Sequence, residues 1–276
     1  MSRPEHTAPP EIFYNDTEAR KYSENSRIIS IQNEMSYRAV ELLNLPEDKA
    51  CFILDIGCGS GLSGEVLEEE QHIWVGMDIS PSMLEVARER DVEGDLFLQD
   101  IGQGMGFRPG TFDACMSISV IQWLCNADKQ SHVPKKRLNR FFTTLFTALA
   151  KGARAVFQFY PENPDQMEMI VSSAMKAGFS GGIVVDYPNS AKAKKYFLCL
   201  FAGVPNAQVE LPKGLDHENS GNINYSGSIM RERRSKSRKV VKDKNWVLKK
   251  KESRRNKGLE TAKDSKYTAR KRKARF

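Results

Sequence analysis

The chain of 276 residues has no apolar run approaching the length of a membrane span, and its N-terminus lacks the apolar core that follows basic residues in a secretion signal. A soluble, intracellular protein is expected, with no role at a membrane. Paired cysteines are missing as well. The five at 51, 58, 115, 125 and 199 show the spacing of neither a disulfide framework nor a zinc knuckle, and Cys51, Cys115 and Cys199 lie within apolar, strand-like runs. A reducing compartment and no metal site are expected. The triplets Asn15-Asp16-Thr17 and Asn224-Tyr225-Ser226 match the glycosylation pattern, but without a secretory route they should stay unmodified. Positive charge, finally, is scarce over most of the length. Residues 1–230 carry 21 Lys and Arg against 30 Asp and Glu, whereas residues 231–276 carry 21 against 5. The overall charge of +7 therefore hides an acidic body and a basic tail, and such a tail contacts nucleic acid or serves as an import signal.

What is present begins with a strand, a glycine turn and a helix. The apolar run Cys51-Phe52-Ile53-Leu54 is too short for a helix and reads as a buried parallel strand, closed by Asp55. Gly57, Gly59 and Gly61 follow at alternate positions, and Leu62 opens an amphipathic segment whose Val66 and Leu67 should face the sheet. A second strand, His72 to Met77, ends on Asp78. Glycines in such a turn admit positive φ and close approach of a ligand, and free N–H groups at the helix start favour negative charge. An acid at the tip of the second strand is placed to accept from ribose hydroxyls. An adenosine ligand fits. A dinucleotide does not, because its fingerprint requires glycine three residues after Gly59, where Leu62 stands.

Ile53-Leu54-Asp55-Ile56-Gly57-Cys58-Gly59-Ser60-Gly61 resembles the first motif of class I methyltransferases that use S-adenosylmethionine (SAM), with Asp78 in the place of their ribose-binding acid. Further runs are more specific: Phe13-Tyr14 with Glu18 to Tyr22, Ser117-Ile118-Ser119 with Gln122 to Cys125, Tyr160 to Asn163, and Val185 to Lys195. Together they resemble, over nearly the whole chain, the eukaryotic family that methylates a guanine N7 in small-subunit (18S) ribosomal RNA. The resemblance implies a SAM site at Asp55, Gly57, Gly59, Gly61, Asp78, Ile79, Asp100, Ile101 and Ser117. Asp100 would meet the adenine amino group and Ile101 would pack on the ring. It also implies binding to ribosomal RNA within the pre-40S particle, residence in nucleus and cytoplasm, and a small zinc-binding activator subunit paired with an edge of the sheet. In the usual strand order Asp95 to Gln99 is that edge, and Leu96, Phe97 and Leu98 left bare would make the lone chain poorly soluble.

The rest of the chain spells a doubly wound α/β fold, a mostly parallel seven-stranded sheet over residues 16–204. Residues 1–15 read as a flexible arm. Helical spacing runs from Asp16, as N-cap, to Leu45, with Pro46 stopping it. Tyr22 and Arg27 on this helix are either surface residues or a cover for the SAM site. Ser80-Pro81 starts a helix to about Arg90, and Asp95 to Gln99 and Phe112 to Ser119 read as strands. Residues 135–151 should be a helix capped by Gly152, followed by a strand from Ala155 to Tyr160, a helix from Pro164 to Ala177, and strands at Ile183–Tyr187 and Tyr196–Phe201. Residues 205–276 turn polar and then strongly basic, as expected of a disordered tail that binds RNA.

Candidate substrate residues are Trp123 and Tyr187. Each either stacks on an extruded base, a contact worth about 1 to 3 kcal/mol, or has a plainer role: Trp123 covering the cofactor, Tyr187 ending a strand. Asn189, Lys192, Lys194 and Lys195 either meet phosphate or form a solvated face, and Cys58 is a small filler in the glycine turn. No acid–base pair stands out, which suits guanine N7, an atom with a lone pair and no proton to remove. Two other readings remain open here: a methyltransferase for tRNA or another substrate, and a ribosome-assembly factor for which methylation is secondary.

Overall fold

The computed structural model describes residues 3–46, 48–203 and 211–215, with Leu248, Lys251, Glu252, Arg255 and residues 261–264. The chain divides into two units, 1–221 and 222–276. In the second, Leu248, Lys251, Glu252 and Arg255 are helical, and Lys251 and Arg255 both hold Asp264, at 2.9 and 2.6 Å. The expectation of a disordered tail otherwise lies outside the described residues.

The first unit is built on seven strands: β1 (Phe52–Ile56), β2 (Ile73–Asp78), β3 (Asp95–Leu98), β4 (Phe112–Ile118), β5 (Leu149–Phe159), β6 (Phe179–Asp186) and β7 (Lys195–Ala202). Their order is β3-β2-β1-β4-β5-β7-β6, and only β7 runs antiparallel to its neighbours. This is the doubly wound, mostly parallel sheet expected from the alternation of strand and helix. Among the described residues seven α-helices accompany it: α1 (Pro10–Phe13), α2 (Asp16–Glu24), α3 (Ser26–Leu43), α4 (Leu62–Glu69), α5 (Pro81–Glu89), α6 (Pro134–Ala148) and α7 (Pro164–Lys176).

Both faces of the sheet are buried, so the strands read as continuous apolar runs rather than alternating ones. On one face Ile53, Trp74 and Met116 pack with Met35, Ala39 and Leu42 of α3 and with Leu67 and Leu84. On the other, Leu54, Ile56 and Met77 pack with Leu138, Phe141 and Phe142 of α6 and Ile170 of α7. The aromatic stripe of α6 is thus core, and each fully buried Phe contributes about 1.5 to 3 kcal/mol.

Several boundaries differ from the periodicity. The helix expected from Asp16 to Leu45 is two helices. Asn25 breaks it, accepting from the N–H groups of Arg27 and Ile28, and Asn15 rather than Asp16 caps the first, accepting from Thr17 and Glu18. The second ends where Asn44 turns left-handed at φ 48°, ahead of Pro46. Leu149 to Lys151, expected to end a helix capped by Gly152, instead open the long strand β5. Residues 3–15, expected as a flexible arm, fold onto the unit: the Arg3 guanidinium donates to the carbonyls of Tyr160 and Pro161, each at 3.0 Å, His6 lies 3.3 Å from Glu162, and Ser80 Oγ donates to the Tyr14 carbonyl at 2.7 Å. The early prolines start short helical turns there.

Candidate cofactor and substrate site

Strand order reverses at β1, which has β2 on one side and β4 on the other, and in open α/β sheets ligands sit outside the carboxyl ends at such a point. There β1 runs into the glycine turn, β2 ends on Asp78, and β4 leads to Ser119 and Val120. Gly57 has φ 70°, and a Cβ on it would lie 2.1 Å from Val120 Cγ2, so glycine is required both for conformation and for space. Gly59, at φ 53°, donates its N–H to Asp78 Oδ2 at 2.9 Å, and the Ser80 N–H donates to Oδ1 at 2.8 Å. Each carboxylate oxygen keeps a lone pair for a ligand hydroxyl. Burial pushes the Asp78 carboxyl above its ordinary value, and the N–H groups of Ser80, Gly59 and Ile79 pull it back.

Around this turn lies a cleft of about 900 Å³, its open mouth included. Gly57, Gly59 and Ser60 line one part, Asp78 and Ile79 another, and Asp100 and Ile101, just past β3, a third. Ser119, Val120 and Trp123 line it after β4. Tyr14 and Tyr22 line it from the N-terminal segment, with their rings edge-on at 5.9 Å and 87°. The Trp123 ring stands 6.0 Å from Tyr14 and 6.1 Å from Phe13. Burial raises the Tyr14 phenol, with Asp78 adding to it, and burial raises Tyr22, so both remain neutral hydrogen-bonding groups.

Two further features mark the cleft as a ligand site. Ser60 Oγ is buried and has no hydrogen-bond partner among the described residues, although it lines the cleft. Ser119, not a glycine, is held at φ 62°, its N–H bonded to the Gln158 carbonyl and its Oγ to Gln158 Oε1. Such strain gathers at functional sites. SAM fits these residues: a glycine cradle with a spare hydroxyl, a carboxylate for the ribose, and an acid with an apolar neighbour for the base.

Several of the expected site residues sit elsewhere. Asp55 is buried and does not line the cleft. Alternate residues of a strand face opposite sides, and Asp55 shares the parity of Ile53, facing α4, where Ser63 Oγ donates to its Oδ2 at 2.5 Å. Burial pushes its carboxyl up to about 7. Ser117 is likewise inside the sheet, its Oγ donating to the Ile56 carbonyl at 2.7 Å. Gly61 serves as the N-cap of α4, at φ 83°, off the cleft wall. Tyr187 does not reach the cleft; it sits at the end of β6 in the left-handed region, φ 52°, with its N–H bonded to the Leu215 carbonyl at 2.6 Å. Arg27 is exposed and away from the cleft, whereas Tyr22 does line it. Trp123 lines it too, but with 8% of its surface exposed it covers the site more than it offers an open stacking face.

The sequence did not single out Tyr14, Gln99 or Arg137. Tyr14 was read only as part of the Phe13-Tyr14 run of the family resemblance, with no role at the site. Arg137 left one trace: Lys135, Lys136 and Arg137 occupy the first turn of α6, where the helix dipole favours acids.

A general methyltransferase-domain model matches residues 54–157, and a model described as a methyltransferase involved in Williams-Beuren syndrome matches 200–274. The 18S rRNA (guanine-N(7))-methyltransferase of Mus musculus is 55% identical over 99% of this chain and 98% of its own length. The 18S rRNA (guanine(1575)-N(7))-methyltransferase of Saccharomyces cerevisiae is 53% identical, covering 100% of both. The chain belongs to the 18S rRNA (guanine-N7)-methyltransferase family. The same holds across a plant relative, from Arabidopsis thaliana, at 53% identity over 100% of this chain and 99% of that protein. Solved structures agree on the fold. Magnesium protoporphyrin IX methyltransferase from Synechocystis with bound SAM has a TM-score of 0.50 at 18% identity, over 73% of this chain and 98% of that one. Haemonchus contortus phosphoethanolamine N-methyltransferase 2 with SAM has 0.51 at 17%, over 74% and 61%. This is the class I SAM-dependent methyltransferase fold, and SAM is the cofactor of this member of the family.

Proposed function

We propose that this chain methylates N7 of a guanine in 18S ribosomal RNA and so takes part in building the small ribosomal subunit. The observation that carries the methyl-transfer half is the Gly59 N–H held on Asp78 across the mouth of a glycine cradle at the strand-order reversal. The substrate half is supported by relatives named for that reaction at 53 to 55% identity over 98% or more of their length. Bound SAM supplies a methyl group that a guanine N7 lone pair can take without first losing a proton. The work left to the protein is therefore positioning, which can lower a barrier by about 7 to 11 kcal/mol. Asp78 holds the ribose, Asp100 and Ile101 hold the adenine, and Ser60 meets the cofactor with its spare hydroxyl. Tyr14, Tyr22 and Trp123 shield the cleft from water.

A second subunit belongs to this reading. β3 is a four-residue edge strand paired only with β2, with Phe97 and Leu98 47% and 59% exposed. Such an edge invites a partner strand. The small zinc-binding activator that the sequence resemblance implies is the occupant we assign to it.

The test replaces Asp78 by alanine in cells that depend on this protein for the modification. Losing two ribose contacts to an ionised acceptor should cost about 3 kcal/mol, or more than 100-fold in cofactor affinity, and nucleoside mass analysis of 18S rRNA should show N7-methylguanosine falling toward zero. Undiminished modification would overturn the proposal.

A further inference from the structure

We infer that Arg137 is a positioning residue for cofactor recognition: it fixes the direction in which Asp100 accepts a hydrogen bond, and so makes the site select a purine bearing an amino group. This rests on the reading of Asp100 as the adenine contact and adds to it the residue that gives that contact its selectivity. Arg137 Nη2 lies 2.9 Å from Asp100 Oδ1 and Nη1 3.2 Å from Oδ2, a two-pronged grip from the first turn of α6 across to the end of β3. The Gly102 N–H adds a third bond, to Oδ1 at 2.9 Å. A carboxylate accepts at roughly four lone-pair positions. With both on Oδ1 taken and Oδ2 held by Nη1, the group cannot rotate; Gln103 Nε2 also donates to Oδ2, but at 3.5 Å, the longest of the four bonds, and that is the position a ligand amino group takes over, with one fixed aim. Both residues line the cleft.

The space for this grip is provided by the backbone. Gly102 is not in the left-handed region, so its conformation does not call for glycine; what calls for it is the guanidinium, since a Cβ would lie 2.5 Å from Arg137 Cζ, Nε and Nη2. The guanidinium therefore lies flat on the Ile101–Gln103 turn, with 11% of the side chain exposed, and His132 closes over Nη1 at 2.8 Å. A fork this confined differs from a lysine, which would present a point charge and could not hold both oxygens.

A fixed acceptor discriminates. It receives the adenine amino group but faces the carbonyl of hypoxanthine oxygen to oxygen. A carboxylate free to swing loses that distinction. The experiment compares S-adenosylhomocysteine with S-inosylhomocysteine, which carries a C6 carbonyl and an N1–H where the adenosyl compound has an amino group and a bare N1, by calorimetry on the full-length protein with its partner subunit. The wild type should prefer the adenosyl compound strongly. In Arg137→Met that preference should shrink about tenfold or more, the worth of one charge-assisted hydrogen bond. Arg137→Lys should lose most of it despite keeping the charge. Gly102→Ala, which changes no polar group but pushes the guanidinium aside, should do the same, and it guards against Arg137→Met simply failing to fold. If the variants weaken both ligands equally and leave the preference intact, Arg137 is a packing residue and the inference falls while the Asp100 reading stands. If the wild type itself shows no preference, the Asp100 reading fails first and takes the inference with it.

Discussion

At its β6 flank the sheet is sealed by its own chain, and at its β3 flank it is left open. Residues 211–215 run beside β6: Leu211 packs over Gly182, Leu215 bonds the Tyr187 N–H through its carbonyl, and its own N–H donates to Asp186 Oδ1 at 2.8 Å. Arg38 of α3 completes the seal, holding Asp186 through Nε at 2.9 Å and Nη2 at 3.2 Å while also donating to the Lys213 carbonyl. β3 receives nothing of the kind among the described residues. It is half the length of β6 and shows two large apolar side chains to solvent. An exposed edge is a liability that a lone chain must blunt with charge, proline or cover. That one flank is closed with a buried ion pair, while β3 has no such cover among the described residues, is the contrast on which the proposed partner at β3 rests.

The strongest way to break this comparison is to open the sealed flank. Asp186→Ala leaves Arg38, with 10% of its side chain exposed, without its buried partner and frees the Leu215 N–H. Removing one member of a buried pair costs about 3 to 5 kcal/mol, here read as a lower midpoint of chemical denaturation, with binding of the second subunit unaffected. A midpoint unchanged from wild type would mean that residues 211–215 rest on β6 without holding it.

The middle of the sheet supplies the next test, because its ionisable group has no cationic partner among the described residues. Asp55 faces α4 with only Ser63 as donor, and burial raises its carboxyl to about 7. A native value above that of the unfolded chain means the folded protein holds the proton more tightly. The stability from this source is complete below about pH 4 and is lost as pH rises toward 7, amounting to roughly 4 kcal/mol for a shift of this size. Asp55→Asn removes the titration, so its unfolding free energy relative to wild type should improve steadily from pH 4 to pH 7. A difference that stays constant with pH would place Asp55 at its ordinary value and remove the contrast with the paired Asp186.

What the sequence makes legible follows the same division between local and distant causes. The glycine turn, the Ser80-Pro81 helix start and the acid ending β2 are each determined within a few residues, and each is found where the sequence puts it. The open flank was expected too, from the strand order usual in the family that the chain resembles, and β3 is found at that edge. The side of β1 on which Asp55 lies was not, since a strand buried on both faces carries no alternation to show which parity meets the ligand. The break at Asn25 was hidden because apolar spacing continues across it. Arg137 was hidden because its partner is 37 residues away and no turn or repeat links the two.

The open flank gives the last and smallest effect on the chain itself. Phe97 and Leu98 are exposed at the edge of β3, and the contact of Phe97 with Phe107, edge-on at 6.0 Å, is its one ring neighbour among the described residues. Replacing both by lysine removes little buried surface, so the stability of the lone chain should change by no more than about 0.5 kcal/mol per site. The same lysines set two charges where a partner strand and its apolar side chains would lie, and truncating central aromatic or aliphatic anchors of an interface typically costs about 2 kcal/mol or more. Co-purification with the second subunit should therefore fail while the denaturation midpoint holds, the reverse of what Asp186→Ala does. Should the double variant keep its partner and its solubility, the partner binds elsewhere, and β3 is a short edge that the protein tolerates bare.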